Sequence, residues 1–173
     1  MTVIDFDDFG QNNNRLDLLW ALKMLRPDFR MTAFAIPMNG TPEFWNSVPP
    51  WIELAVHGWH HPDPREAEHW TYADMDKRMA QVPQAFVKGF KAPGWQISDP
   101  TYEWLARHDW WVADQDYNDW RRPSGLACYK IAEGSWHGHI QNVCGNGLEE
   151  TWGQVIEVVS KADEFLFASE ALR

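Results

Sequence analysis

Residues 57–61 read HGWHH and run directly into Pro62, so three imidazoles occupy five positions at the end of an apolar stretch. Gly58 and Pro62 rule out a regular helical turn across this segment, so His57 and His61 meet only if the loop curls back on itself. Other ionisable groups gather at comparable places. Asp7 and Asp8 lie within DFDDFG, Lys91 precedes APGW, Asp114 leads into DYNDW at 116–120, and His137 and His139 stand two apart, on one face of a strand. One carboxylate with two neutral imidazoles forms a three-ligand site for a divalent first-row ion, with coordination positions left open for water and substrate. A second carboxylate beside the ligand is placed to take a proton from the bound water, and a histidine across the site to give one to a leaving group. These are the parts of metal-assisted amide or ester hydrolysis.

Such groups need a frame that brings distant strand ends together. Apolar, β-rich runs predict strands at 2–6, 31–36, 51–56, 85–93 and 110–115, with shorter ones in CYKIA, GSWHGHI and FLFAS. Helical spacing predicts helices over 14–26, 64–82, 98–108 and 148–162, the third capped by Ser98 or Asp99, and a short one in TPEFWNSV capped by Thr41 with Pro42 at its first position. Strand–helix alternation without repeat or linker predicts a single α/β domain over 1–173, a small, irregular (β/α) barrel of seven or eight mostly parallel strands. A doubly wound open sheet is the alternative. In either architecture reactive groups collect where strands end and loops begin.

Composition narrows the partners. The net charge of −10 argues against a phosphate-backbone partner, so no nucleic acid is expected. No apolar run is long enough to span a bilayer and no basic segment precedes a greasy one at the start, so neither a membrane nor a signal peptide is expected, and the expected setting is cytoplasmic or phage-associated. Cys128 and Cys144 are expected to be free thiols in a reducing compartment. The 12 tryptophans suit either a core or stacking against sugar rings.

The motifs, in order, resemble those of the polysaccharide deacetylases of the NodB-homology type, carbohydrate esterase family 4. DFDD (5–8) is similar to the family's Thr-Phe-Asp-Asp, HGWHHP (57–62) to its His-Ser/Thr-x-x-His-Pro, KAPGW (91–95) to Arg-x-Pro, DYNDW (116–120) to Asp-x-x-Asp-Trp, and SWHGHI (135–140) to the segment carrying Leu-x-His. The resemblance implies a metal-dependent enzyme, acting on C–N bonds other than peptide bonds, that removes acetyl groups from an N-acetylated sugar or glycan, with metal-bound water as nucleophile. It implies one divalent ion, zinc before cobalt, nickel, iron or manganese, held by Asp8, His57 and His61. Asp7 would be the general base, Lys91 its partner, and His139 or His137 the acid, His139 being favoured because it lies nearer the strand's C-terminal end. Pro93, Trp95, Asp116 and Trp120 would line the substrate pocket, and His60 would be a bystander or a supporting group.

Three departures bear on the substrate. Asp5 replaces threonine and adds negative charge if it faces the base. Gly58 replaces the Ser/Thr that braces the histidine loop, so another group must orient the ligands. Lys91 replaces arginine, supplying charge without a planar two-point hydrogen bond. They motivate a second expectation, a hydrolase of the same superfamily acting on a small non-sugar amide such as a cyclic ureide. The tryptophans motivate a third, a sugar-binding module without turnover.

Overall fold

A computed structural model describes residues 1–113, 123–131, 134–143 and 145–172. Eight strands form one sheet: β1 (Thr2–Phe9), β2 (Met31–Ala35), β3 (Ile52–His57), β4 (Phe86–Lys91), β5 (Trp111–Ala113), β6 (Cys128–Tyr129), β7 (Trp136–His139) and β8 (Phe165–Leu166). Helices α1 (Leu16–Leu25), α2 (Pro42–Ser47), α3 (Tyr72–Met79), α4 (Asp99–Arg107) and α5 (Trp152–Lys161) provide the crossovers. The strand order is β6-β5-β4-β3-β2-β1-β7, every ladder is parallel, and β8 pairs with the start of β1.

The sheet curls into an open barrel, and a central cluster of side chains explains why. Val3, Phe34, Ala55, Trp111, Ala113 and Tyr129, from strands β1, β2, β3, β5 and β6, pack on one another inside the curl. Alternate residues face outward. Ile4, Phe6, Ala33 and Leu54 meet Leu19 and Leu22 of α1 and Val155 and Val159 of α5. Val56, Phe90 and Val112 meet Met75 of α3 with Tyr102 and Leu105 of α4. Burial on both faces is the reason the strands read as continuous apolar runs. A doubly wound sheet would instead carry helices on both faces, which the interior cluster excludes. Among the described residues no ladder joins β6 to β7.

Most predicted elements are present, with shifted ends. Thr41 caps α2 by accepting from the Phe44 N–H, and Ser98 caps α4 by accepting from that of Thr101. The helix expected over 64–82 is broken. Glu66–His69 form a short 3-10 turn, Trp70 is extended (φ −69°, ψ 138°), and α3 starts afresh behind a capping box in which Thr71 and Asp74 each accept the other's backbone N–H. The cap at Thr71 overrides the helical periodicity running through it. Cys128 is buried, and Cys144 lies outside the described residues.

Tryptophan serves the core more than the surface. Trp45, Trp59, Trp70, Trp104, Trp110 and Trp111 are all buried, so their number does not point to a sugar-stacking face.

Candidate active site and metal centre

The two acids of β1 face the same space because the strand is irregular there. In a regular strand Asp7 and Asp8 would point to opposite faces. Asp8 instead adopts a left-handed backbone (φ 65°), and the β1–β2 register slips between Phe6 and Phe9. This is the geometry of a bulge, which re-aims a side chain at the rim of a barrel. The Asn13 side-chain amide donates to the Asp8 carbonyl at 2.8 Å and helps hold the turn.

His57 is the last residue of β3, and its Nδ1 lies 3.1 Å from the Lys91 carbonyl on β4. An N–H donated there leaves Nε2 with its lone pair free toward the cavity. His61 returns through a loop with φ values of 64° at Gly58 and 53° at His61. As a result His57 Nε2 and His61 Nε2 lie 3.6 and 3.5 Å from the same Asp8 oxygen, Oδ1. Donors bonded at 2.0–2.1 Å to a tetrahedral ion sit about 3.4 Å apart, so the trio fits a first-row divalent cation. What a cation would resolve is charge, because Asp5, Asp7 and Asp8 are all buried and, among the described residues, Lys91 beside Asp5 and Asp7 is the one permanent cation there.

Lys91 ends β4 and is fully buried. Its Nζ is 2.7 Å from Asp7 Oδ1, 3.1 Å from Asp5 Oδ1 and 3.1 Å from His137 Nδ1, and lies 4.5 Å from the ring centroids of both Phe34 and Trp95. Asp5 also contacts His137 Nδ1 at 2.7 Å and accepts the Tyr129 hydroxyl at 2.8 Å. Burial alone would raise the Asp7 pKa, but Lys91, His57 and His137 together hold it well below the usual carboxylate range. Asp5 is lowered by the same balance, with burial opposed by Lys91 and His137. Burial lowers the pKa of His57, and that of His139 too, there against the opposing pull of Asp7 and Asp8. Burial and the adjacent Asp5 push the Tyr129 phenol far above its ordinary value, so it stays a donor.

A cavity of about 440 Å³ opens above these groups, lined by Asp7, Asp8, His57, His61, Trp95 and His139 among others. That volume falls within the range of small-ligand clefts. Six of the residues singled out from sequence therefore meet at one place. His60, considered a bystander, is exposed but also lines the cavity. Lys91 and His137 do not line it and stand behind Asp7. Pro93, expected in the pocket wall, is instead buried with its ring against Gly58, because the loop after β4 tucks under the histidine loop. Asp116 and Trp120 lie outside the described residues. Two participants were missed, Tyr129 and Glu66. Neither lies in a motif, and only pairing across the sheet or loop reveals them.

No sequence-family model matches the chain, and no curated protein matches it in sequence. Solved structures do match. The Xyl-CE4 domain of a multidomain xylanase from the hindgut metagenome of Trinervitermes trinervoides is 17% identical with a TM-score of 0.64, covering 98% of this chain and 88% of that one. A family 4 carbohydrate esterase from Streptomyces lividans, in complex with acetate, is 17% identical with a TM-score of 0.60, covering 92% and 85%. A family 4 acetyl xylan esterase from Clostridium thermocellum, in complex with a cobalt ion, is 13% identical with a TM-score of 0.67, covering 98% and 89%. The chain has the fold of the family 4 carbohydrate esterases over nearly its whole length. No helix among the described residues is long and apolar enough to cross a membrane.

Proposed function

We propose that the chain is a metal-dependent hydrolase that removes acetyl groups from an N-acetylated sugar or glycan. One observation carries the proposal: Asp8, His57 and His61 converge with metal-ligand spacing in a cavity that Asp7 and His139 also line. The fold shared with esterases seen with acetate and with cobalt supports it.

Asp8, His57 and His61 would hold the ion, with zinc the first expectation. A divalent ion there supplies Lewis acidity, activating water and polarising the acetyl carbonyl. The residues of the chain do the rest. Lys91 engages Asp7 Oδ1, while Asp7 Oδ2 lies 3.8 Å from His57 Nε2, so the second oxygen of the base borders the space that the ligands face. Its lowered pKa keeps Asp7 ionised, the form a general base requires. His139, the neighbour of Asp7 across the β1–β7 ladder, serves as the acid, because it lines the cavity and its buried Nδ1 has no hydrogen-bond partner among the described residues. Burial holds the His139 pKa below its ordinary value, which makes the imidazolium a stronger acid and reduces its fraction near neutral pH. His137, tied to Asp5 and Lys91, holds the base assembly from behind. Trp95 supplies the apolar wall, and its ring also rests on the Lys91 ammonium.

Acetate release from N-acetylglucosamine oligomers tests the proposal. Release that stops on chelation and in Asp7→Asn is the expected result. Metal-loaded protein that is inert on acetylated glycans but cleaves a cyclic ureide would move the substrate to the small-amide class. Glycan binding at full strength after metal removal, with no turnover before it, would leave only a binding module.

A further inference from the structure

We propose that Glu66 is the positioning residue of the histidine loop, reaching into the space that a side chain at position 58 would fill. This rests on the metal-site assignment above. Glu66 opens the 3-10 turn Glu66–His69, and its Oε1 accepts two backbone N–H groups, from Trp59 at 2.5 Å and from His61 at 3.1 Å. One acceptor thus pins both ends of the turn Trp59–His60–His61. His61 carries a left-handed backbone (φ 53°), a conformation that non-glycine residues hold only where their surroundings enforce it. The Glu66 carboxylate is that surrounding. It donates nothing, takes no part in the cavity wall, and reaches His61 through the main chain alone.

Gly58 is the second half of the device. Its φ is 64°, and a Cβ there would overlap Glu66 Oε1 and come within 2.7 Å of Pro93 Cγ. The missing side chain at 58 is what admits the carboxylate from eight residues downstream. Gly58 and Glu66 are therefore two halves of one arrangement, with a long acceptor bracing the loop from outside. The buried ring of Pro93 closes the other side of Gly58, so the loop is clamped between β4's exit and the Glu66 turn.

The test uses the full chain, stripped by chelator and titrated with Zn²⁺ against a chromophoric competitor, with Co²⁺ absorption as a second reading of the ligand geometry. Glu66→Ala is expected to weaken zinc binding about 10–100-fold, the range for losing an outer group that orients a ligand, and to alter the Co²⁺ bands. The thermal midpoint of the metal-free protein should scarcely move. Glu66→Gln keeps an acceptor oxygen and should stay within a few-fold of the parent. Gly58→Ala should crowd out the carboxylate and weaken binding, and Gly58→Ala/Glu66→Ala should lose less than the product of the two single losses. His57→Ala separates the two levels. If it loses zinc while Glu66→Ala binds within twofold of the parent, the brace is wrong and the metal site stands. If His57→Ala binds zinc as the parent does, the site assignment fails and takes the brace with it. Should Glu66→Ala not fold, parental affinity in Gly58→Ala overturns the proposal on its own.

Discussion

Lys91→Met removes the ammonium that faces Asp5 and Asp7 at the base of the site while keeping a side chain of similar length. The thioether can still fill the gap between the Phe34 and Trp95 rings, each 4.5 Å from the ammonium in the parent. What it cannot do is face Asp7 Oδ1 at 2.7 Å and Asp5 Oδ1 at 3.1 Å, both buried. Stripping one partner from a buried ion pair costs about 3–5 kcal/mol. For a domain of this size that lowers the thermal midpoint by roughly 6–20 °C. The cost depends on pH in a fixed direction. In the parent, Asp5 and Asp7 sit below the ordinary carboxylate value of 3.8 in the fold, so their stabilising effect is full above that pH and fades as pH falls through their folded values. Without Lys91 the largest remaining influence on both is burial, which raises them. The fold then favours the protonated acids, and the deficit of the variant should be greatest near pH 7 and shrink toward pH 4. Urea denaturation of the metal-free protein at both values measures this, and Lys91→Met/Asp5→Asn should recover part of the loss at pH 7. A deficit under about 1 kcal/mol at pH 7, unchanged at pH 4, would refute the network.

Other outcomes follow from neighbouring geometry. His139→Ala should lower kcat by about 10²–10⁴-fold, the usual contribution of a general acid, with ion affinity retained. His137→Ala should lose mainly stability, because it leaves Asp5 one partner short. A larger kcat loss in the His137 variant would exchange the two roles. At the opposite end of the barrel, Glu53 is buried on β3 and accepts from the hydroxyls of Thr32 and Ser169. Burial raises its pKa above the ordinary value of 4.5 despite those bonds, so its contribution to stability declines as pH rises past that value. Glu53→Gln should therefore gain stability relative to the parent between pH 4 and pH 7, read from denaturation midpoints. A gain on going the other way would contradict the burial argument.

The sequence made the frame legible wherever the signal was local. Apolar runs marked the strands, and Thr41 and Ser98 marked two helix starts through side chains that cap nearby N–H groups. His57 and His61 could be paired because glycine and proline forced a loop between them. What escaped was set by long-range pairing or by backbone sign. The bulge that turns Asp8 toward Asp7 is a left-handed φ at a non-glycine residue, which residue type alone does not announce. Tyr129 reaches Asp5 only because the sheet curls, bringing residues 124 positions apart within hydrogen-bond distance. The split of the 64–82 helix depended on a competition between periodicity and a cap, and the cap won at Thr71. Pro93 was assigned by its motif to the pocket, yet its ring went to support Gly58 instead.

Metal content tests the central claim most directly. Protein purified with zinc in the medium and then dialysed should carry close to one divalent ion per chain by elemental analysis, and His57→Ala and Asp8→Asn should carry almost none while keeping the parent's circular dichroism. One ion per chain retained in both variants, or none in the parent at saturating zinc, would contradict the assignment of Asp8, His57 and His61 as a metal centre.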